Sequence, residues 1–390
     1  MNMMKKQSRL FCAMLLLCSL LLAVCADASA DTKEAKDLAE KCILRFSVNS
    51  MQKTDMLARS LHKYWDAGKD GVLRVTLPEK QKSQGVMLSF YQTVPEVIIE
   101  SLDGKKPVEI ARYTLPYQND YIPFTKPAHS FQIRAAKGGH LQINRLNVLS
   151  EGKLPDWVQR WEPPLKEADI QLIACHPDDE VLWFGGLLPT YAGQLKKRVQ
   201  VTFIHTGTRY DRRNELLDAL WYCGVHVYPN VPKSNWTKKV NDYVIDAIRR
   251  TKASVVVTQD VNGEYGNENH KTMTQAVIKA VTGQCADAKV RPSSAKKYGV
   301  WQPQKLYIHL WPENQSVFDW SKKLSKMGNQ SGFTIAQKAF EKHMSQQNGR
   351  YEVAMSGRYD CRLLGLYFTL VGPDDTKHPD LLQNIPAVNK

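Results

Sequence analysis

The chain has 390 residues, 43% hydrophobic and 24% charged, with a formal net charge of +14. No run of five or more like charges marks a nucleic-acid tail, and beyond the first thirty residues no apolar stretch is long enough to cross a bilayer. A basic chain of this kind meets anionic envelope polymers or glycans, or simply carries a solvated basic surface.

The first thirty residues read as an export signal. Lys5, Lys6 and Arg9 precede the apolar run from Leu10 to Val24, and Ala28-Ser29-Ala30 is a small-x-small cleavage site. The protein is therefore expected to be secreted or held in the cell envelope, starting at Asp31. Leu22-Ala23-Val24-Cys25 offers a rival lipidation box, against which the bulky Val24 counts. Five cysteines remain (Cys42, Cys175, Cys223, Cys285 and Cys361), widely spaced and with no Cys-x-x-Cys. They form neither a disulfide framework nor a thiolate zinc site.

The remaining length fits two domains. From about 70 to 150 the strands are short and alternating. Leu73, Val75 and Leu77 interleave with Arg74 and Thr76, and Phe131, Ile133 and Ala135 repeat the pattern. Residues 31–150 are thus expected to form an all-β sandwich of jelly-roll type. Pro155, Pro163 and Pro164 mark 151–165 as a linker.

Beyond it, strands alternate with helices through residues 166–390. Strands are expected at Ile170–Cys175, Val199–Ile204 and Ser254–Thr258, with a short one at His226–Tyr228. Helices are expected over Val181–Leu195, Arg213–Tyr222, Val240–Arg250 and near Thr334–Met344, and a last strand near Leu363–Val371. The fold class is α/β: a Rossmann-like, mostly parallel sheet with helices on both faces. Ligands of such sheets sit beyond the carboxyl ends of the strands.

Two loops at strand ends carry the chemistry. His176-Pro177-Asp178-Asp179-Glu180 follows the first buried strand. Asp260-Val261-Asn262-Gly263-Glu264-Tyr265-Gly266-Asn267-Glu268-Asn269-His270 follows the run ending at Thr258. If both strands are central, His176, Asp179 and His270 can hold one metal and leave a position open for water. Two imidazoles and a carboxylate suit Zn²⁺, one per chain, although iron would use the same set. Asp178, beside a ligand, can accept the water's proton. Taken alone, the first run has a lesser alternative as a turn capping a helix, with Asp178 or Asp179 as N-cap and Glu180 in its first turn.

Together these segments resemble the de-N-acetylase family acting on N-acetylglucosaminyl-phosphatidylinositol and on glucosaminyl thiol precursors. The family's Ala-His-Pro-Asp-Asp-Glu stands here as Cys175–Glu180, and its Gly-Glu/Gly-Tyr-Gly-His-x-x-His as Gly263–His270. Arg212, Glu215, Ala219 and Gly224 match a third feature. The resemblance implies zinc on His176, Asp179 and His270, Asp178 as base, and Tyr265 stabilising the oxyanion. Arg212, Asp260 and Asn267 would form the substrate side, with Asp260 orienting the histidine system.

Asn267 departs from the family, which usually has a histidine there to protonate the leaving amine. Either another group such as His205 or His309 donates, or Asp178 carries the proton itself, or the enzyme is slow or inactive; His226 and His343 read as structural. The segments Leu61–Gly68 and Leu141–Leu146 are similar to the galactose-binding, discoidin-like modules of exported glycan enzymes. The expected activity is zinc-dependent removal of N-acetyl from an amino sugar or glycan, with the sandwich gripping polymeric glycan apart from the chemistry. A glycan-binding protein with a degenerate deacetylase domain, and an amidase acting on a non-sugar N-acyl compound, are the alternatives.

Overall fold

The structure is a computed structural model describing residues 33–57, 63–92, 94–205, 210–232 and 239–386. The expected leader, its cleavage site after Ala30 and the start of the Leu61–Gly68 segment lie outside the described residues. No helix among the described residues is long and apolar enough to cross a membrane.

Among the described residues of the amino-terminal half there are nine strands: β1 (Ile43–Phe46), β2 (Trp65–Gly68), β3 (Val72–Thr76), β4 (Ser83–Phe90) and β5 (Val97–Ser101). They continue as β6 (Val108–Tyr113), β7 (Asn119–Ala128), β8 (Ser130–Ala135) and β9 (Leu141–Ser150). A five-stranded sheet of order β1-β3-β8-β5-β6 faces a four-stranded sheet of order β2-β9-β4-β7, and every pairing is antiparallel. Leu73 and Val75 of one sheet and Val86, Leu88 and Phe90 of the other enter one core, while Arg74 stays outside. This is the expected alternation of a half-buried strand.

The second face of the four-stranded sheet is not left to solvent. Met87, Tyr121 and Leu149 pack on Val158 of the 151–165 segment, and Trp161 closes against Trp221 and Tyr228. The proline-marked stretch expected as a linker is thus anchored here through the buried Pro155, Val158, Gln159 and Trp161. Asp120 lies beside it, accepting from Tyr121 N (3.0 Å), Trp161 N (3.2 Å) and Tyr113 Oη (2.9 Å).

Burial pushes the Asp120 carboxyl up to about 6, against those hydrogen bonds, which favour its charged form. A carboxyl raised above its unfolded value of 3.8 makes the fold more stable when protonated, so that stability is lost as pH rises through about 4 to 6. At 1.36 kcal/mol per unit the loss approaches about 3 kcal/mol. Asp120→Asn keeps one oxygen for the two N–H groups. Its melting temperature should match wild type near pH 4 and exceed it at pH 7.5; parallel profiles would refute the assignment.

The carboxyl-terminal half is built on β10 (Ile170–Ala174), β11 (Val199–Phe203), β12 (Val255–Thr258), β13 (Lys305–His309) and β14 (Gln315–Val317). A two-residue-per-strand hairpin, β15 (Lys323–Leu324) and β16 (Gln330–Ser331), precedes β17 (Leu363–Thr369). The six-stranded sheet runs β11-β10-β12-β13-β17-β14; the first four strands are parallel, and β17 and β14 add antiparallel. Every residue of β10 to β13 is buried. Both faces are covered, which explains the unbroken apolar runs in the sequence.

The helices include α1 (Lys53–Leu57) in the first half, then α2 (Asp179–Leu182), α3 (Tyr210–Tyr222) and α4 (Val240–Thr251). After these come α5 (Glu268–Lys279), α6 (Pro292–Tyr298) and α7 (Gly332–Phe340). Two elements differ from expectation. The single helix expected over 181–195 is broken after Leu182, because Gly185 turns at φ +47° and Gly186 lies against Trp320, where a Cβ would come within 2.9 Å. The short strand expected at 226–228 is only a bridge from Val227 to Glu162.

Helix α3 locks the two halves together. Asn214, fully buried, donates to Phe90 O (3.0 Å) and to Asn144 Oδ1 (3.2 Å). One turn on, Asp218 accepts a bidentate pair from Arg145 (2.9 and 3.0 Å) and bonds from Asn119 (3.1 Å) and Gln159 (2.6 Å). Four donors on one carboxylate hold the sandwich rigidly against this helix.

Candidate metal centre

Because β10, β12 and β13 are parallel neighbours, the segments after them open on one rim. β10 delivers His176, the segment after β12 delivers Gln259 to His270, and β13 ends on His309. The β11 strand brings His205 to the same edge.

His176 Nδ1, Asp179 Oδ2 and His270 Nε2 form a triangle with sides of 3.1, 3.2 and 3.3 Å. Two ligands about 2.0–2.1 Å from a tetrahedral ion stand roughly 3.4 Å apart, so this triangle has the size of a zinc donor set. His270 Nδ1 stands 2.7 Å from Glu264 Oε2; donating there, the ring would offer Nε2 to an ion once its second proton leaves. The other oxygen of Asp179 accepts from Trp183 Nε1 at 2.6 Å, and Oδ2 accepts from His176 N at 2.6 Å. Cys175 adjoins the cluster, but its Sγ meets the other ring nitrogen of His176, at 3.7 Å. Burial and the charge of Asp179 push its thiol well up, so it stays protonated.

Glu264 was not foreseen, and it takes the role expected of Asp260. Its two oxygens accept from His270 Nδ1 and His309 Nδ1, each at 2.7 Å, and from Asp260 N at 3.1 Å. Against full burial, the bonds from His270 and His309 hold this carboxyl down to about 2. Burial lowers His270, but Asp179 and Glu264 outweigh it and raise the imidazole to about 10. Asp260 instead turns its side chain to Asn262 N, at 3.1 Å, closing its own loop. The short 3₁₀ turn at Glu264–Gly266 lets Glu264, rather than Asp260 four residues earlier, reach the ring.

Asn267 caps α5, the helix that carries His270: its Oδ1 accepts from Asn269 N (2.9 Å) and His270 N (3.4 Å). Its Nδ2 donates to Tyr265 Oη at 3.3 Å. Tyr265 lies at φ +48°, 39% exposed, with its ring 5.5 Å from that of His270. Burial and Asp179 raise its phenol, so it remains an O–H donor.

Asp178 has φ +120°, an uncommon conformation for a non-glycine residue and one met at functional positions. Its N–H donates to Glu180 Oε2 (2.8 Å), and Glu180 is in turn held by His343 Nε2 (2.7 Å), so Glu180 and His343 are structural supports. Arg212 donates to Asp178 Oδ2 (3.2 Å) and Pro177 O (2.5 Å). Burial and Asp179 raise the Asp178 carboxyl to about 8, with Arg212 opposing. His205 stands edge-on to His176, ring centres 5.3 Å apart, and burial, with the neighbouring His176 and the Arg212 guanidinium, lowers its pKa. His309 is fully buried, with Nε2 on Asp360 O at 3.2 Å, so both nitrogens are occupied. His226 lies on the Trp221 ring, away from these residues.

Residues 171–281 match the family described as PIG-L, GlcNAc-PI de-N-acetylase. That segment contains every residue of the triangle, with Asp178, Arg212 and Tyr265. A curated relative from Catenulispora acidiphila, 1D-myo-inositol 2-acetamido-2-deoxy-alpha-D-glucopyranoside deacetylase 1, is 24% identical over 212 residues. The match covers 44% of this chain and 64% of the relative, so the chain spans just under two thirds of that protein's length. Among solved structures, the N,N'-diacetylchitobiose deacetylase from Pyrococcus horikoshii is similar over 47% of this chain and 72% of its own (15% identity, TM-score 0.38). CpGH89CBM32-6 from Clostridium perfringens is similar over 30% of this chain and 100% of its own (11% identity, TM-score 0.26).

Proposed function

We propose that this chain is a metal-dependent N-deacetylase, exported to the envelope or beyond, acting on an N-acetylated amino sugar. The observation that carries the reading is the 3.1–3.3 Å triangle of His176, Asp179 and His270 with Asp178 alongside. The PIG-L match over 171–281 supports it. His176, Asp179 and His270 would hold zinc, which when bound supplies an acidified water and polarises an acyl carbonyl.

The chain's own groups do the rest. Asp178 takes a proton from the attacking water as its oxygen bonds to the acyl carbon. The Tyr265 phenol donates to the carbonyl oxygen as negative charge builds there. Cleavage of the C–N bond needs a proton on the leaving nitrogen, and Asp178, whose carboxyl is raised, returns the one it took. Acetate and a free amine result. Arg212 holds Asp178 in line. Because Asn267 caps the helix bearing His270, its departure from histidine fits an intact site and does not require decay.

Acetate release from a panel of N-acetylhexosamines and N-acetyl non-sugar amines, on metal-analysed protein, tests this. Turnover on sugars that falls with chelation and returns with Zn²⁺ is expected. Zinc-loaded protein that binds glycans and releases no acetate would support the degenerate-domain alternative.

A further inference from the structure

Four aromatic rings gather beside the donor triangle, and two of them come from beyond the family-matching segment. Trp183, 2% exposed, is the centre: the rings of Tyr265, Tyr351 and Tyr359 stand 5.9, 6.2 and 5.7 Å from it. Trp183 also fixes Asp179 through its indole N–H. The Tyr265 backbone N–H donates to the Tyr359 hydroxyl at 2.8 Å, at the residue held in the left-handed conformation. Tyr351 lies half-buried against Tyr265, ring centres 4.7 Å apart and planes 30° from parallel. Its hydroxyl bonds to none of the described residues.

We infer that Tyr351 and Tyr265 form an aromatic wall that takes the apolar face of an uncharged pyranose ring, making Tyr351 a specificity-determining residue. The inference rests on the N-deacetylase reading and adds the residue that selects sugar over other N-acetyl amines. A pyranose presents a face of C–H bonds carrying partial positive charge, complementary to the negative faces of aromatic rings. An acyclic N-acetyl amine has no such face. The Tyr351 hydroxyl adds a polar handle for a sugar hydroxyl. Recognition of a phosphate-bearing group would call for a cation, but the guanidinium beside the donors, Arg212, is committed to Asp178 and Pro177 O. Arg358 lies over the Tyr359 ring rather than over the wall.

The test uses the zinc-loaded full chain and the disaccharide of N-acetylglucosamine. Tyr351→Ala should raise KM about tenfold with kcat within about threefold, the signature of lost binding common to ground and transition states. Tyr351→Phe, which keeps the ring, should hold KM within about threefold of wild type. Calorimetric titration with the same disaccharide in chelated protein reads the wall without turnover and should show the same ordering. An unmoved KM and affinity in Tyr351→Ala would overturn the wall. If wild type binds the disaccharide through Tyr351 but releases no acetate from any N-acetyl sugar, the wall stands and the N-deacetylase reading fails.

Discussion

Replacing His270 with alanine is expected to lower zinc affinity by more than about 100-fold, since loss of a mere supporting partner already costs 10- to 100-fold. Acetate release should fall with it. His270 is fully buried at the start of α5 and supplies one corner of the triangle. Its removal leaves His176 and Asp179 alone, one turn apart, and two donors do not fix a tetrahedral ion. The variant should also lose stability, because Glu264 Oε2 forfeits its strongest donor, at a cost of about 1–3 kcal/mol. His309 still pairs the other oxygen, so the fold should survive, and circular dichroism would verify that. Metal analysis after dialysis against trace Zn²⁺ decides the matter. Full occupancy in His270→Ala would remove His270 from the donor set.

The triangle was legible in the sequence because its ligands lie in segments that follow two buried strands, and unbroken runs such as Ile170–Ala174 announce strands covered on both faces. Parallel pairing then puts both loops on one rim, so sequence position converts into spatial proximity. The choice between Asp260 and Glu264 was not legible, because it turns on a three-residue 3₁₀ turn. For Asn267 a signal did exist: an asparagine followed by Glu268 at the head of a helix is an N-cap pattern, overshadowed by the motif it interrupts. Tyr351 and Tyr359 come from a stretch without helix or strand, where no periodicity marks which side chains turn inward. The docking of the sandwich was hidden for another reason. Asn214 and Asp218 read as ordinary polar residues of α3, and only the tertiary pairing with Phe90, Asn144 and Arg145 reveals them as a clamp.

That clamp bears on the second large effect, because α3 also carries Arg212 to Asp178. Asp178→Asn should cut kcat by about 10² to 10⁴, the usual range for a positioned general base, while bound zinc stays at wild-type level. The amide preserves the shape and keeps an oxygen near Arg212, so packing is undisturbed. What is lost is the capacity to take and return a proton. The two candidate acids left at the rim are pushed in opposite directions: Asp178 is raised to about 8, whereas His205 is lowered by burial, with His176 and Arg212 close by. A neutral imidazole has no proton to spare for the amine, and a raised carboxyl does. His205→Ala should therefore reduce kcat by less than about tenfold, well below the range for a lost general acid. A collapse in His205→Ala comparable to that in Asp178→Asn would reverse the assignment, placing amine protonation on the imidazole and leaving Asp178 with the water alone.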